Sequence, residues 1–142
     1  MTSEDEEKMV AYFESLGQAS RDFFHPHPFD RENARRVCGS TDRQTFCVVA
    51  EHEDRIIGYA WFGMSEKSPY TMLGIGISDN AQGKGLGRIL MDTLIEEARR
   101  RNHAGLRLTV YPNNDRAVRL YTNCGFKIVG EKGQEHVMDL VF

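Results

Sequence analysis

The chain has 142 residues and a formal net charge of −3; 40% of its residues are hydrophobic and 27% are charged. These values predict one soluble globular domain over residues 1–142 and exclude a mainly disordered chain, a membrane span of roughly 18 apolar residues and a general nucleic-acid binder. The acidic start does not resemble a secretory signal, and three scattered cysteines without metal or disulfide spacing indicate a reducing, cytoplasmic setting.

The first half of the chain predicts two helices followed by three strands. Apolar residues recur at helical spacing over 5–16, and Asp30 can cap a second, short helix that ends near residue 38. Strands rich in β-branched and aromatic residues follow over 45–50, 55–62 and 70–77. The first two strands form a hairpin around a polar turn.

The second half alternates helices and strands. The clearest helix covers 86–101, with a buried stripe of Leu90, Met91, Leu94, Ile95 and Ala98. The next elements are a strand over 106–111, a helix over 114–124, and hairpin strands over 126–130 and 135–142. Asn114 or Asn113 can cap the second of these helices, and Gly125 can close it. This order predicts an α/β (α+β) fold with a mixed sheet of about six strands and helices on both faces.

A glycine-rich turn over 77–88 joins a strand to the clearest helix. Its three alternate glycines free the backbone to expose successive N–H groups, which together with the helix N-terminus can bind an anion. Lys84 and Arg88 lie where the helix dipole disfavours cations unless an anion is bound. The turn lacks the Ser or Thr of a nucleotide-binding P-loop and the Gly-x-Gly-x-x-Gly spacing of a dinucleotide site. A flexible connection with solvated basic residues is the alternative.

Three motifs in register resemble those of the GNAT superfamily of N-acetyltransferases. Gln82, Gly85 and Gly87 match its acyl-CoA signature, Gln/Arg-x-x-Gly-x-Gly/Ala after a strand. Residues 114–121, Asn-Asp-Arg-Ala-Val-Arg-Leu-Tyr, resemble its Asn-x-x-Ala-x-x-Leu-Tyr helix, and Gly125-Phe126 resembles its closing Gly-Phe. The resemblance covers about residues 8–142. It implies a sheet that splays between the glycine-containing strand and the next strand.

The resemblance also implies a function, a co-substrate and a set of site residues. The expected reaction moves an acetyl group from acetyl-CoA, without a metal, to a primary amine of a small molecule or protein in a ternary complex. Tyr121 would donate a proton to the departing thiolate. The residues expected at the coenzyme are Ile75, Gly76 and Ile77 along the pantetheine arm, Gln82, Gly83, Lys84, Gly85, Leu86, Gly87 and Arg88 at the pyrophosphate, and Asn114 at the pantetheine arm.

The chain departs from the family pattern in two places. Many relatives carry a glutamate base just before the Leu-Gly-Ile-Gly segment, but Tyr70-Thr-Met-Leu73 has no carboxylate. A water relay, His25, His27, Glu66 and His136 remain as alternatives for the base, and an acyl-CoA-binding sensor with little catalysis is the alternative function. The family's first edge strand is short or missing here, so the strand over 45–50 would form a sheet edge that a partner, such as a second copy, could cover. His25 and His27 are interpreted as loop residues rather than metal ligands.

Overall fold

The computed structural model describes residues 6–15, 45–63 and 68–142. Its helices are α1 (Glu6–Ser15), α2 (Leu86–Arg100) and α3 (Asp115–Asn123), with a short 3-10 turn at Asp79–Ala81. Its strands are β1 (Phe46–His52), β2 (Arg55–Gly63), β3 (Thr71–Ile77), β4 (Gly105–Val110), β5 (Lys127–Lys132) and β6 (Glu135–Val141). The helix predicted from Asp30, the loop with His25 and His27, and the chain start lie outside the described residues.

The six strands form a mixed sheet, as predicted, and their order in it is β1-β2-β3-β4-β6-β5. In the part of the chain that the structure describes, β3 and β4 alone run parallel, and the other neighbouring pairs run antiparallel. Among the described strands, β1 lies at one edge of the sheet and β5 at the other.

Helices cover both faces of the sheet, which confirms the layered prediction. Met9 and Tyr12 of α1 pack against Tyr59 on one face. Met91 of α2 and Tyr121 of α3 belong to the core cluster that contains Ala60 on the other face. Adjacent residues of a strand point to opposite faces, so β2 supplies both cores from consecutive positions.

Both hairpins are tighter than predicted. β1 continues to His52, which pairs with Arg55, so Glu53 and Asp54 alone make the turn, with φ of 51° and 63°. β5 likewise continues to Lys132. The residues at these two strand ends are charged and exposed, so they show no alternation of hydrophobic and polar side chains. The sequence pattern therefore predicted strands that end too early, although the hydrogen bonds between the strands continue.

In the described part of the chain, no helix combines the length and hydropathy that a membrane crossing requires. The same residues contain no cluster of three or more His, Cys, Asp or Glu side chains arranged to hold a metal ion.

Candidate active site

The sheet opens between β3 and β4. The two strands pair only at Thr71↔Leu106 and Met72↔Arg107. From Leu73 to Ile77, no residue has a partner on β4 among the described strands, so the main-chain groups on that side of β3 are left for another ligand. This confirms the predicted splay, and the open edge includes Ile75, Gly76 and Ile77.

An ion pair lies at the position where β3 and β4 diverge. Arg107 Nε and Nη2 donate to the two carboxylate oxygens of Asp139 on β6 at 2.6 and 2.8 Å, and the Asp139 residue is only 7% exposed. The Arg107 guanidinium also lies 5.7 Å from the Tyr70 ring centroid. Sequence reasoning missed this pair because its members are far apart along the chain and neither belongs to a motif.

The glycine loop leads from β3 into the N-terminus of α2. Gly83 and Gly85 have φ of 77° and 82°, and Gly85 is the N-cap without a capping side chain. A Cβ on Gly85 would meet nothing within 4 Å, so the backbone there borders open space. In the described α2, the first turn holds no acidic residue, and its first N–H groups have no acceptor within the helix. These features fit a bound anion.

Gly87 has a different structural role from Gly85. A Cβ at Gly87 would lie 3.0 Å from Leu120 Cδ2 and 3.3 Å from Ile77 Cδ1. The glycine therefore lets α2 approach both α3 and β3. Gly87 matches the family signature, and the described contacts explain the glycine there by the close packing of α2 against α3 and β3.

The Gln82 side chain links the loop to its neighbours. Its Nε2 donates to the Ile77 carbonyl at 3.1 Å, and its Oε1 accepts from Arg116 Nη1 at 3.0 Å. Arg116 was not predicted as a site residue. The signal for it was available, because Arg116 lies in the first turn of α3, where the helix dipole disfavours a cation.

The two predicted basic residues of the loop differ in their surroundings. Lys84 and Arg88 are both exposed. Arg88 Nε donates to Asp92 Oδ1 at 3.0 Å one turn along α2, and such an exposed pair contributes little to stability. Lys84, by contrast, lies within the loop itself.

Asn114 begins α3 as its cap. Its side chain accepts a hydrogen bond from the Ala117 N–H at 3.4 Å, which decides between Asn114 and Asn113. The contact uses the side-chain oxygen, so the amide NH₂ group takes no part in the cap. Gly125 closes the helix with φ of 101°, as predicted.

Tyr121 is buried on α3. Its ring centroid lies 6.1 Å from that of Phe126, and the residue is 9% exposed. Burial first, and then the nearby Cys124 thiol, raise the pKa of Tyr121 to about 12. Among the described residues its hydroxyl has no hydrogen-bond partner. The phenol is therefore protonated at neutral pH and its O–H is available to a ligand.

The described residues do not single out a base. Thr71, Met72 and Leu73 occupy the start of β3 and supply no carboxylate. His136 pairs with Val110, near the open end of β4, and its Nδ1 is buried and lies 3.9 Å from Glu131 Oε1. Glu66, His25 and His27 lie outside the described residues.

Comparisons with known proteins agree with this geometry. The model of the acetyltransferase (GNAT) family matches residues 7–126. The 5-NmdU N-acetyltransferase of Pseudomonas phage PaMx11 is 29% identical over 128 residues, or 89% of this chain and 84% of that protein. The mycothiol acetyltransferase of Actinosynnema mirum is 29% identical over 85 residues, or 60% of this chain but only 29% of that protein.

The fold also matches a solved structure that contains the coenzyme. The PaiA N-acetyltransferase of Thermoplasma acidophilum, in complex with coenzyme A, aligns with a TM-score of 0.82 at 14% identity. The alignment covers 100% of this chain and 96% of that one. At this identity the likeness shows a shared fold.

Proposed function

The chain belongs to the GNAT family of acetyltransferases, with acetyl-CoA as its co-substrate, and we propose that it acetylates a primary amine by direct attack while both substrates are bound. The observation that carries this proposal is the unpaired edge of β3, which runs from Leu73 to Ile77 and leads into the glycine loop. A strand edge next to an anion-binding turn matches a ligand that has an amide-containing arm and a diphosphate.

In this proposal, the coenzyme lies along the open edge and over the loop. The main chain of Ile75 to Ile77 would pair with the amides of the pantetheine arm, as an added strand does. The N–H groups from Gln82 to Arg88 would bind the diphosphate at the positive end of α2. The open space at Gly85 and the absence of an acidic residue in the described first turn of α2 support this placement.

Tyr121 is proposed to assist the departure of the thiolate. As the carbon–nitrogen bond to the amine forms, the carbon–sulfur bond of the thioester breaks and the sulfur takes up negative charge. The Tyr121 hydroxyl, protonated and without a partner among the described residues, can donate to that sulfur. Donation at this step favours the transition state over the bound substrates.

The amine must lose a proton in the same reaction. An alkylamine with a reference pKa near 10.4 is mostly protonated at pH 7, and deprotonation there costs about 4.6 kcal/mol. We assign no protein group to this step. The rate at subsaturating amine should therefore rise with pH as the free-amine fraction increases.

Thiol release from acetyl-CoA, measured against a panel of primary amines, tests the proposed function. The panel should contain small alkylamines, amino acids, peptides with a free α-amine, and 5-NmdU, the compound in the phage relative's name. We expect at least one amine to raise thiol release well above the rate without acceptor, with one acetylated amine formed per thiol. If coenzyme A binds but no amine in the panel accelerates release, the result would contradict amine acetylation for these acceptors and would favour the alternative, an acyl-CoA-binding sensor.

A further inference from the structure

Arg116 lies outside the acyl-CoA signature but contacts the loop that contains it. It is exposed on the first turn of α3, and its Nη1 donates to Gln82 Oε1 at 3.0 Å. Gln82 in turn donates to the Ile77 carbonyl at 3.1 Å. Two side-chain hydrogen bonds therefore connect the end of β3, the loop and the start of α3.

The guanidinium retains donors beyond the one that Gln82 uses. Its Nη2 lies 4.0 Å from the position that a Cβ on Gly83 would occupy, so the group borders the loop backbone directly. Among the described residues, no carboxylate pairs with Arg116, whereas Arg88 and Arg107 are paired with Asp92 and Asp139. The Arg116 charge is thus uncompensated at the place where the loop and the α2 N-terminus favour an anion.

From these contacts, and resting on the coenzyme placement proposed above, we propose that Arg116 is a specificity-determining and positioning residue for the nucleotide part of the donor. One nitrogen holds Gln82, and so maintains the loop in its binding conformation. The remaining donors contact the diphosphate once it lies over Gly83. A planar guanidinium can make both contacts at once, which a lysine ammonium does with less geometric control.

This dual role predicts different effects on acyl donors that contain the diphosphate and on donors that lack it. Acetyl-CoA contains the diphosphate, while S-acetylpantetheine has the same thioester and amide arm without any phosphate. Removal of the Arg116 guanidinium should therefore weaken the use of acetyl-CoA and leave S-acetylpantetheine nearly unchanged. Because the role concerns the binding of the donor rather than the breaking of its thioester, KM should change and kcat should not.

The experiment compares Arg116→Ala, Arg116→Lys and the matched control Arg119→Ala. Arg119 is exposed on the same helix three residues further along. Its replacement by alanine removes the same formal charge but leaves the hydrogen bond between Arg116 and Gln82 in place. Titration calorimetry with coenzyme A alone requires no acceptor, so it can succeed or fail independently of the proposed amine acetylation. Melting temperatures of the free variants confirm folding.

We expect Arg116→Ala to weaken coenzyme A binding by roughly tenfold, Arg116→Lys to recover part of the affinity, and Arg119→Ala to remain within about twofold of the original chain. With an active amine, the KM for acetyl-CoA should rise about as much as the dissociation constant. Affinity within twofold in Arg116→Ala would overturn the proposal. So would an equal loss in Arg119→Ala, which would indicate general charge, or an equal loss for S-acetylpantetheine, which would indicate distortion of the arm's site.

Discussion

Replacing Tyr121 with phenylalanine removes one hydroxyl and keeps the buried ring against Phe126. The hydroxyl has no hydrogen-bond partner among the described residues, so its loss leaves no described donor or acceptor unsatisfied. We therefore expect the free energy of unfolding at pH 7 to change by less than about 0.5 kcal/mol. A defect in turnover can then be separated from a defect in folding.

The structure sets the size of the expected kinetic loss. Burial raises the pKa of Tyr121 to about 12, whereas a thiol has a reference pKa near 8.5. Complete transfer of the phenol proton to a free thiolate would be uphill by roughly 5 kcal/mol. The hydroxyl should thus act mainly by hydrogen bonding to the sulfur as its charge develops, which is worth about 1.5–3 kcal/mol for a charged partner. This corresponds to a loss of about 10- to 100-fold in kcat.

The assay measures kcat from thiol release, with acetyl-CoA and the best amine both saturating. Affinity for coenzyme A, measured by calorimetry, should stay within about twofold because the interaction belongs to the transition state. The loss should shrink for thioesters whose leaving thiol is more acidic. Tyr70→Phe is the control, since its ring lies beside Arg107 at the closed end of the splay. Full kcat in Tyr121→Phe would show that Tyr121 only packs the core.

Three further predictions concern the loop, the cap and alkaline pH. Gly85→Asp should weaken acetyl-CoA binding at least about tenfold, measured by calorimetry, because it places a carboxylate at the anion site. The control is Gly133→Asp, at another open glycine with φ of 61°, which should introduce the same local strain and leave the affinity normal. Equal affinities in the two variants would show that the diphosphate does not bind at this loop. Asn114→Ala should lower the free energy of unfolding in urea by about 0.5–1 kcal/mol through loss of the cap, and a similar loss in Asn113→Ala would contradict the assignment. The Tyr121 phenol ionises near pH 10 when unfolded but near 12 when folded, so the folded state binds more protons in that window and stability falls as pH rises, by at most about 2.7 kcal/mol. In denaturant melts from pH 10 to 12, the free energy of unfolding of Tyr121→Phe should fall less with pH than that of the original chain. An identical dependence on pH in the two proteins would refute the raised pKa of the buried phenol.

Local patterns determined most of the secondary structure. The α2 stripe recurs at helical spacing, and Leu90, Leu94 and Ala98 are buried as that spacing predicts. Gly125 at the end of α3 has the positive φ that only a glycine adopts easily. Signals of this kind act over a few residues, so they can be read without knowing which strands pair. The same locality explains why the strand ends at His52 and Lys132 were missed, since their pairing depends on the partner strand.

The glycine signature and the Asn-to-Tyr helix also indicated the family from the sequence, because both motifs combine fixed spacing with residue types that their backbone positions need. Whether Asn113 or Asn114 caps α3 could not be decided in this way. Both residues can supply a side-chain oxygen, and only the backbone geometry selects one.

The tertiary structure alone decided how distant segments meet. Arg107 bonds to Asp139, which lies 32 positions further along the chain, and Arg116 bonds to Gln82, which lies 34 positions before it. The open edge of β3 likewise exists because parallel pairing with β4 stops after Met72. Each of these contacts depends on strand register and on the angle between neighbouring elements. Those quantities are set by packing of the whole core and have no counterpart in the spacing of residues along a single segment.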